Sequence, residues 1–469
     1  MAKKLAFPIA FLVVVCLVAV GTYGLIDGRK DGPSDETATL ADPAMYAEEY
    51  PDYAKDVYLQ YVDDPELSAE ENDKLESELY ETGLYWIDVD ENGEVVWVPA
   101  DSEEGAAIID TTKPTVVNIH GMMIDGATSV EQYFVNPVIG SAEELGLPAG
   151  TDYAKVKTLK LWIDQGWNVG IYNWARFTAE SIMFWNIESK VWATNGPTNV
   201  RWADSDGVQH DYPMQYSMGE LFAADYIRAV NRLPADFGKS EIRFTAHSMG
   251  GQLLASGAFL LHEVSQGENA QISADKLPDR LTMDDTFFGV KMSIAGTSVD
   301  MYNSGLTVRW SGKPMPGDRP GMAYAQAIIE LAAAGIAIDY YSYNGSALHL
   351  AISPEIREIL LDNTCYILMD PDYGEYFAAA GLSYAKIGDG HTAQRQFSQC
   401  SIVRTYPADD SALTDSQKIA YADAMPTEVL KNYIGRAFVI TAGGKTLTTA
   451  DDEYAEWSKQ QIMDAFTAK

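Results

Sequence analysis

The stretch IRFTAHSMGGQL, residues 242–253, carries the residue types of a covalent acyl-transfer site. Ser248 stands between small residues, with Ala246 two positions before it and Gly250 and Gly251 after it. A serine hydroxyl becomes a nucleophile when a neighbouring base takes its proton. Small flanking residues permit the strained strand-to-helix turn that presents its oxygen. Alone the pattern is a weak signal, since an ordinary serine in a glycine-rich loop fits it too. A second piece lies upstream, where the apolar run TVVNIH (115–120) ends in His120-Gly121. Backbone N–H groups after such a dipeptide can face the serine and stabilise an oxyanion. The candidate donors are the N–H groups of Met122 and Met249. The plainer reading of His120-Gly121 is a turn at the end of a strand.

Both pieces need a rigid frame, and the surrounding pattern supplies one. Residues 83–99 read as a hairpin, two alternating aromatic and β-branched runs about Asn92-Gly93. Strands are expected over 115–120, 167–174, 241–247, 287–296 and 336–343. Helices are expected over 153–166, 218–233, from Ser248 to about His262, and 320–335. Alternating strands and helices predict an α/β class with a mostly parallel sheet covered by helices on both faces. Residues 175–216 have little periodicity and read as an insertion between a strand and a helix.

The chain resembles the α/β-hydrolase superfamily, on its lipase and esterase side. The residues that carry the resemblance are Ile119-His120-Gly121, Trp167-Asn168-Val169-Gly170, and Ala246-His247-Ser248-Met249-Gly250-Gly251. It spans roughly residues 113–395 and implies a Ser-Asp/Glu-His triad in that chain order. The base it implies is His391, in the glycine-flanked turn of LSYAKIGDGHTAQRQ. His247 reads as packing or a wall of the site, and His262 and His349 as structural. The resemblance puts the acid after the strand that follows the nucleophile helix, or after the next one. With the first of these read at 287–296, the acid is Asp300. Asp339 lies inside the second, and Asp370, Asp372 and Asp389 are the alternatives.

Composition bounds the partners. Asp and Glu number 68 against 33 Lys and Arg, a formal charge of −35, and such a surface repels nucleic acid. Lys3 and Lys4 precede an apolar run through Ile26. Residues 1–26 therefore read as a signal peptide or, through residues 5–26, a membrane anchor, with Ala19-Val20-Gly21 fitting a cleavage site. Either reading puts residues 27–469 outside the cytoplasm. Residues 27–80 form an acidic linker running into helical segments, 81–400 the hydrolase domain, and 401–469 an extension packed on it. The extension contains an expected strand at GRAFVITAGG and a helix at DDEYAEWSKQQIMDAF. Two cysteines in an exported chain, Cys365 and Cys400, suggest a disulfide. The six histidines are scattered, with no CxxC, HExxH or phosphate-binding glycine loop, so neither metal nor cofactor is expected.

The expected function is an ester hydrolase acting on a small-molecule or lipid ester through an acyl-enzyme on Ser248. A serine peptidase or acyltransferase on the same frame is a second reading, and a non-catalytic hydrolase-like binding module a third. Trp174, Phe177, Phe184, Trp185 and Trp192 of the insertion suit either a lid or acyl pocket, or a buried helix.

Overall fold

A computed structural model describes residues 50–92, 94–122, 158–179, 186–196, 200–211, 215–289, 291–294, 297–300, 305–343, 352–369, 397–444, 448–450 and 452–467. Helix α1 (Ala69–Leu79) precedes ten strands that form one sheet. These are β1 (Gly83–Val89), β2 (Val95–Pro99), β3 (Thr115–Ile119), β4 (Asn168–Asn173), β5 (Ile242–His247), β6 (Arg280–Asp284), β7 (Ala337–Tyr343), β8 (Cys365–Met369), β9 (Ala437–Ala442) and β10 (Glu453–Trp457). The spatial order is β10-β9-β8-β7-β6-β5-β3-β4-β1-β2. Strands β3 to β9 run parallel, while β1 is antiparallel to both β2 and β4, and β10 is antiparallel to β9.

Strands β3, β5 and β6 are buried along their whole length, as covered parallel strands must be. One face lies under α3 (Met218–Arg232), α4 (Gly250–Glu263) and α5 (Pro320–Ala333), whose apolar residues join the largest core cluster. Ser217 and Glu220 form a capping box at the start of α3, which fixes where the helix begins. On the other face, Ile419, Ala422, Met425, Leu430 and Tyr433 pack over β7, β8 and β9. Residues 401–469 thus supply this part of the covering layer, the sheet strands β9 and β10, and the closing helix (Lys459–Thr467), whose Ile462 and Phe466 join the main cluster.

The sheet corrects one expected strand. The sheet strand after α4 is Arg280–Asp284, not 287–296. Within the latter range, Lys291–Ile294 pairs with Thr297–Asp300 in a separate two-stranded ribbon. RLTMD reads poorly as a buried strand because it carries charge at both ends. The structure neutralises Arg280 with Asp339 of β7 at 2.7 Å, both fully buried, and Thr282 donates to the same carboxylate at 3.0 Å. Arg280 also donates to the carbonyls of Ala422 and Met425, and Arg243 of β5 donates to those of Asp423 and Met425. Two buried arginines thereby hold the C-terminal layer to the sheet.

Two smaller expectations also change. EYAEW is strand β10 rather than helix, and the closing helix begins at Lys459. Cys365 and Cys400 are separate buried thiols, not a disulfide. The first opens β8 inside the sheet and the second lies on a helix over 397–403. Burial pushes both thiols up, Cys400 to about 12, so neither is a ready thiolate.

Removing one partner of the Arg280–Asp339 pair strands the other charge in the core. Asp339→Ala is expected to lower unfolding free energy by about 3–5 kcal/mol. Urea unfolding would check this, with the joint Arg280→Met, Asp339→Leu replacement costing less than the single one.

Candidate active site

Ser248 sits between β5 and α4 with φ of 55°. Left-handed backbone costs a residue with a Cβ on the order of 1–3 kcal/mol and persists only where surroundings impose it. Here the surroundings are three hydrogen bonds. The Ser248 N–H donates to the Asp284 carbonyl at 2.8 Å, and its carbonyl accepts from Gly251 at 3.0 Å and Phe287 at 3.2 Å. Gly250 explains the small residue two positions on. A Cβ there would lie 2.5 Å from the Ile119 carbonyl oxygen and 2.6 Å from that of His120. The helix start therefore touches the end of β3, and no larger residue fits between them.

That contact brings the His120-Gly121-Met122 turn to the elbow. Nε2 of His120 accepts the Trp174 N–H at 3.1 Å, which leaves the ring proton on Nδ1, directed at the Gly121 carbonyl at 2.8 Å. Trp174 Nε1 donates back to the His120 carbonyl at 2.8 Å. A trans peptide points its C=O and N–H in opposite directions. Holding the Gly121 oxygen against the imidazole therefore turns the Met122 N–H to the other side. The Met249 N–H opens α4, where no preceding turn supplies an acceptor. Each expected donor is thus at a strand-end or helix-start position with its backbone fixed.

The sheet also places two aspartates at the strand end beside the Ser248 backbone. Asp284 ends β6, in register with His247 of β5 and Tyr341 of β7. Asp285 follows with φ of 46°, and its N–H donates to the Tyr341 carbonyl at 3.0 Å. Both aspartates are buried. Among the described residues, Ser248 and Asp285 are the two non-glycine residues with positive φ. The alternation Leu281, Met283 was the signal available, masked by the charges at either end of RLTMD. Asp300 closes the separate ribbon opposite Lys291 and does not follow a strand of the main sheet. His391, Asp370, Asp372, Asp389 and His349 lie outside the described residues. His247 is buried, and His262 lies near the end of α4.

The insertion contributes α2 (Ile187–Trp192), buried at every position. Trp174, Phe177 and Trp192 belong to the main core, while Phe184 and Trp185 lie outside the described residues. Gln252, one turn after Ser248, ties α2 to the elbow. Its Oε1 accepts Trp192 Nε1–H at 3.0 Å, and its Nε2 donates to Glu188 Oε1 and to the Phe287 carbonyl, each at 2.9 Å. Glu188 also accepts the Gly289 N–H at 3.1 Å. Burial pushes its carboxyl up to about 8, against the pull of the Gly289 N–H and of Arg319.

Together, the parallel sheet, the left-handed serine after β5 and helix α4 behind it form the α/β-hydrolase architecture. No family model and no curated protein sequence matches the chain. Among solved structures, Est1E from Butyrivibrio proteoclasticus is 11% identical over 66% of this chain and 97% of its own, with a TM-score of 0.27. A thioesterase domain from the curacin biosynthetic pathway is 13% identical over 60% of this chain and 92% of its own, TM-score 0.26. Esterase B from Lactobacillus rhamnosis is 10% identical over 70% and 93%, TM-score 0.26. The fold assignment rests on strand order and the elbow. Among the described residues no helix is long and apolar enough to cross a membrane, and residues 5–26 lie outside them.

Glu188 makes stability pH-dependent with a definite sign. A carboxyl raised from its ordinary 4.5 to about 8 on folding favours the folded state fully below 4.5, and that contribution is lost as pH rises through 8. Glu188→Gln removes the titration. Its unfolding free energy is expected to fall less between pH 5 and 9 than the parent's, by on the order of a few kcal/mol, and its melting temperature correspondingly less. Calorimetric scans across that range would show equal slopes if Glu188 ionises normally.

Proposed function

We propose that the chain is a serine hydrolase that cleaves carboxylic esters through an acyl-enzyme on Ser248. The observation that carries this reading is the pair of strained residues, Ser248 and Asp285, bonded through neighbouring backbone groups at adjacent strand ends. Strain of this kind survives where the surrounding structure over-determines it, and it clusters at active sites. Ser248 Oγ attacks the acyl carbon while His391 takes its proton, and the imidazolium then protonates the departing alcohol. Water, activated by the same base, releases the acid. The N–H groups of Met122 and Met249 hold the oxyanion, each worth about 3–4 kcal/mol of barrier.

The acid of this proposal is Asp285, in place of Asp300. It follows the sheet strand after the nucleophile helix, the position at which the family pattern expects a carboxylate. Its task is to hold the imidazole tautomer and stabilise the cation that forms during attack. The substrate class is a small-molecule or lipid ester. Residues 5–26 are proposed to direct the chain out of the cytoplasm, as a cleaved signal or an anchor.

The test compares the parent with Ser248→Ala, Asp285→Asn and Asp300→Asn. Ser248→Ala is expected to abolish both labelling by a fluorophosphonate and turnover of p-nitrophenyl esters. Asp285→Asn should lower kcat about ten-thousandfold, and Asp300→Asn less than about tenfold. A folded parent that neither labels nor turns over would overturn the hydrolase reading. The reverse ranking of the two aspartates would return the role to Asp300.

A further inference from the structure

The sheet has a second end, and it holds a cavity. Trp167 immediately precedes β4 and Arg243 is the second residue of β5, so both lie at the strand starts. Ser248 follows the far end of β5, about 16 Å along the strand from Arg243. Between these strand starts and the C-terminal layer is a cavity of about 550 Å³, lined in part by Trp162, Trp167, Arg243, Arg404, Tyr406 and Asp410. That volume lies within the range of small-molecule sites, about 300–1,000 Å³.

Its walls narrow the chemistry of an occupant. The Trp162 and Trp167 rings meet edge to face at 5.0 Å, and the Arg243 guanidinium lies 4.7 Å over the Trp167 ring. This makes a rigid, flat, partly apolar wall. Charge, in contrast, is already balanced. Arg243 pairs with Glu241 at 2.6 Å and Arg404 with the buried Asp452 at 2.8 Å, while Asp410 pairs with Lys418 at 3.0 Å. An anion would meet cations that are already neutralised, and a cation would meet buried guanidinium groups.

Hydrogen-bonding capacity remains. Arg243 donates once from Nε to Glu241, once from Nη1 to the Asp423 carbonyl and once from Nη2 to the Met425 carbonyl. A guanidinium has five N–H groups, so two have no acceptor among the described residues. Gln165 and Thr405 add exposed polar groups at the rim. A flat apolar wall and spare donors on a guanidinium whose charge Glu241 already balances suit a ring with C–H faces and hydroxyl edges. We propose that this cavity is a binding site for a neutral sugar residue, separate from the Ser248 site. Its pyranose C–H groups pack against the part of the Trp167 ring that Arg243 leaves uncovered, and its hydroxyl oxygens accept from Arg243 and Gln165. The inference does not depend on the hydrolase reading.

Tryptophan fluorescence and isothermal calorimetry on the full chain would test it. The probes are hexasaccharides of glucose, xylose, mannose and N-acetylglucosamine, with a galacturonic acid hexasaccharide as the anionic control. The expected result is saturable binding of at least one neutral sugar at millimolar concentration. Trp167→Leu and Gln165→Ala, shown to be folded by circular dichroism and unchanged melting, should each weaken it, the former about tenfold or more. Ser248→Ala should bind like the parent. Absence of binding by all neutral sugars, preference for the anionic one, or undiminished binding in folded Trp167→Leu would each overturn the proposal. Loss of binding in Ser248→Ala would also overturn it, by assigning the sugar to the serine site.

Discussion

The left-handed backbone at Ser248 is the constraint from which the rest of the architecture around it can be read. It holds only because Asp284, Gly251 and Phe287 clamp the residue from both sides and Gly250 lets β3 come within touching distance. Those partners belong to β6, to α4 and to the turn after β6, while the close approach involves β3. Three neighbouring strands must therefore end at the same level, and parallel pairing in register achieves this. Ile119 stands beside Ala246, and His247 beside Asp284. A slip of one residue in either pairing would remove the clamp and turn every side chain to the other face.

The covering layers keep those strand ends rigid. Gln252 and Glu188 bind the insertion helix to the elbow from the α4 side. On the opposite face, Arg243 and Arg280 reach from adjacent strands to the same short stretch of backbone carbonyls near Met425. The buried Arg280–Asp339 pair is a costly way to fill space, since desolvating two ions offsets much of their attraction. Its geometry serves order instead, for it fixes the register of β6 against β7 while leaving donors for the C-terminal layer.

Much of this was legible in the sequence. The elbow, the His-Gly turn, the hairpin at 83–99 and the strands at 115–120, 241–247 and 336–343 follow from local pattern, because apolar runs bounded by turn residues leave few alternatives. What escaped was non-local. Arg280 looks like a surface residue until Asp339, 59 residues later, is placed beside it. With 287–296 taken as the strand, the carboxylate that follows is Asp300, and nothing local marks the aspartates at the end of β6. EYAEW looked helical because edge strand β10 is only partly covered and lacks a full apolar alternation. Glu188 carried no sequence signal, since its environment is assembled by Gln252, Gly289 and Arg319 from three other segments.

The two arginines also set an order in time. Strands β5 and β6 precede the carbonyls of residues 422–425 by some 140 to 180 positions. Until that late stretch emerges from the ribosome, the guanidinium groups at the heart of the sheet have no backbone to grip. The helix over 158–164 already covers β3 and β4 on that face, so what the late stretch adds is the cover over β7, β8 and β9. A chain stopped short of its last tenth would therefore leave the apolar residues of β7 and β8 on that face without their cover.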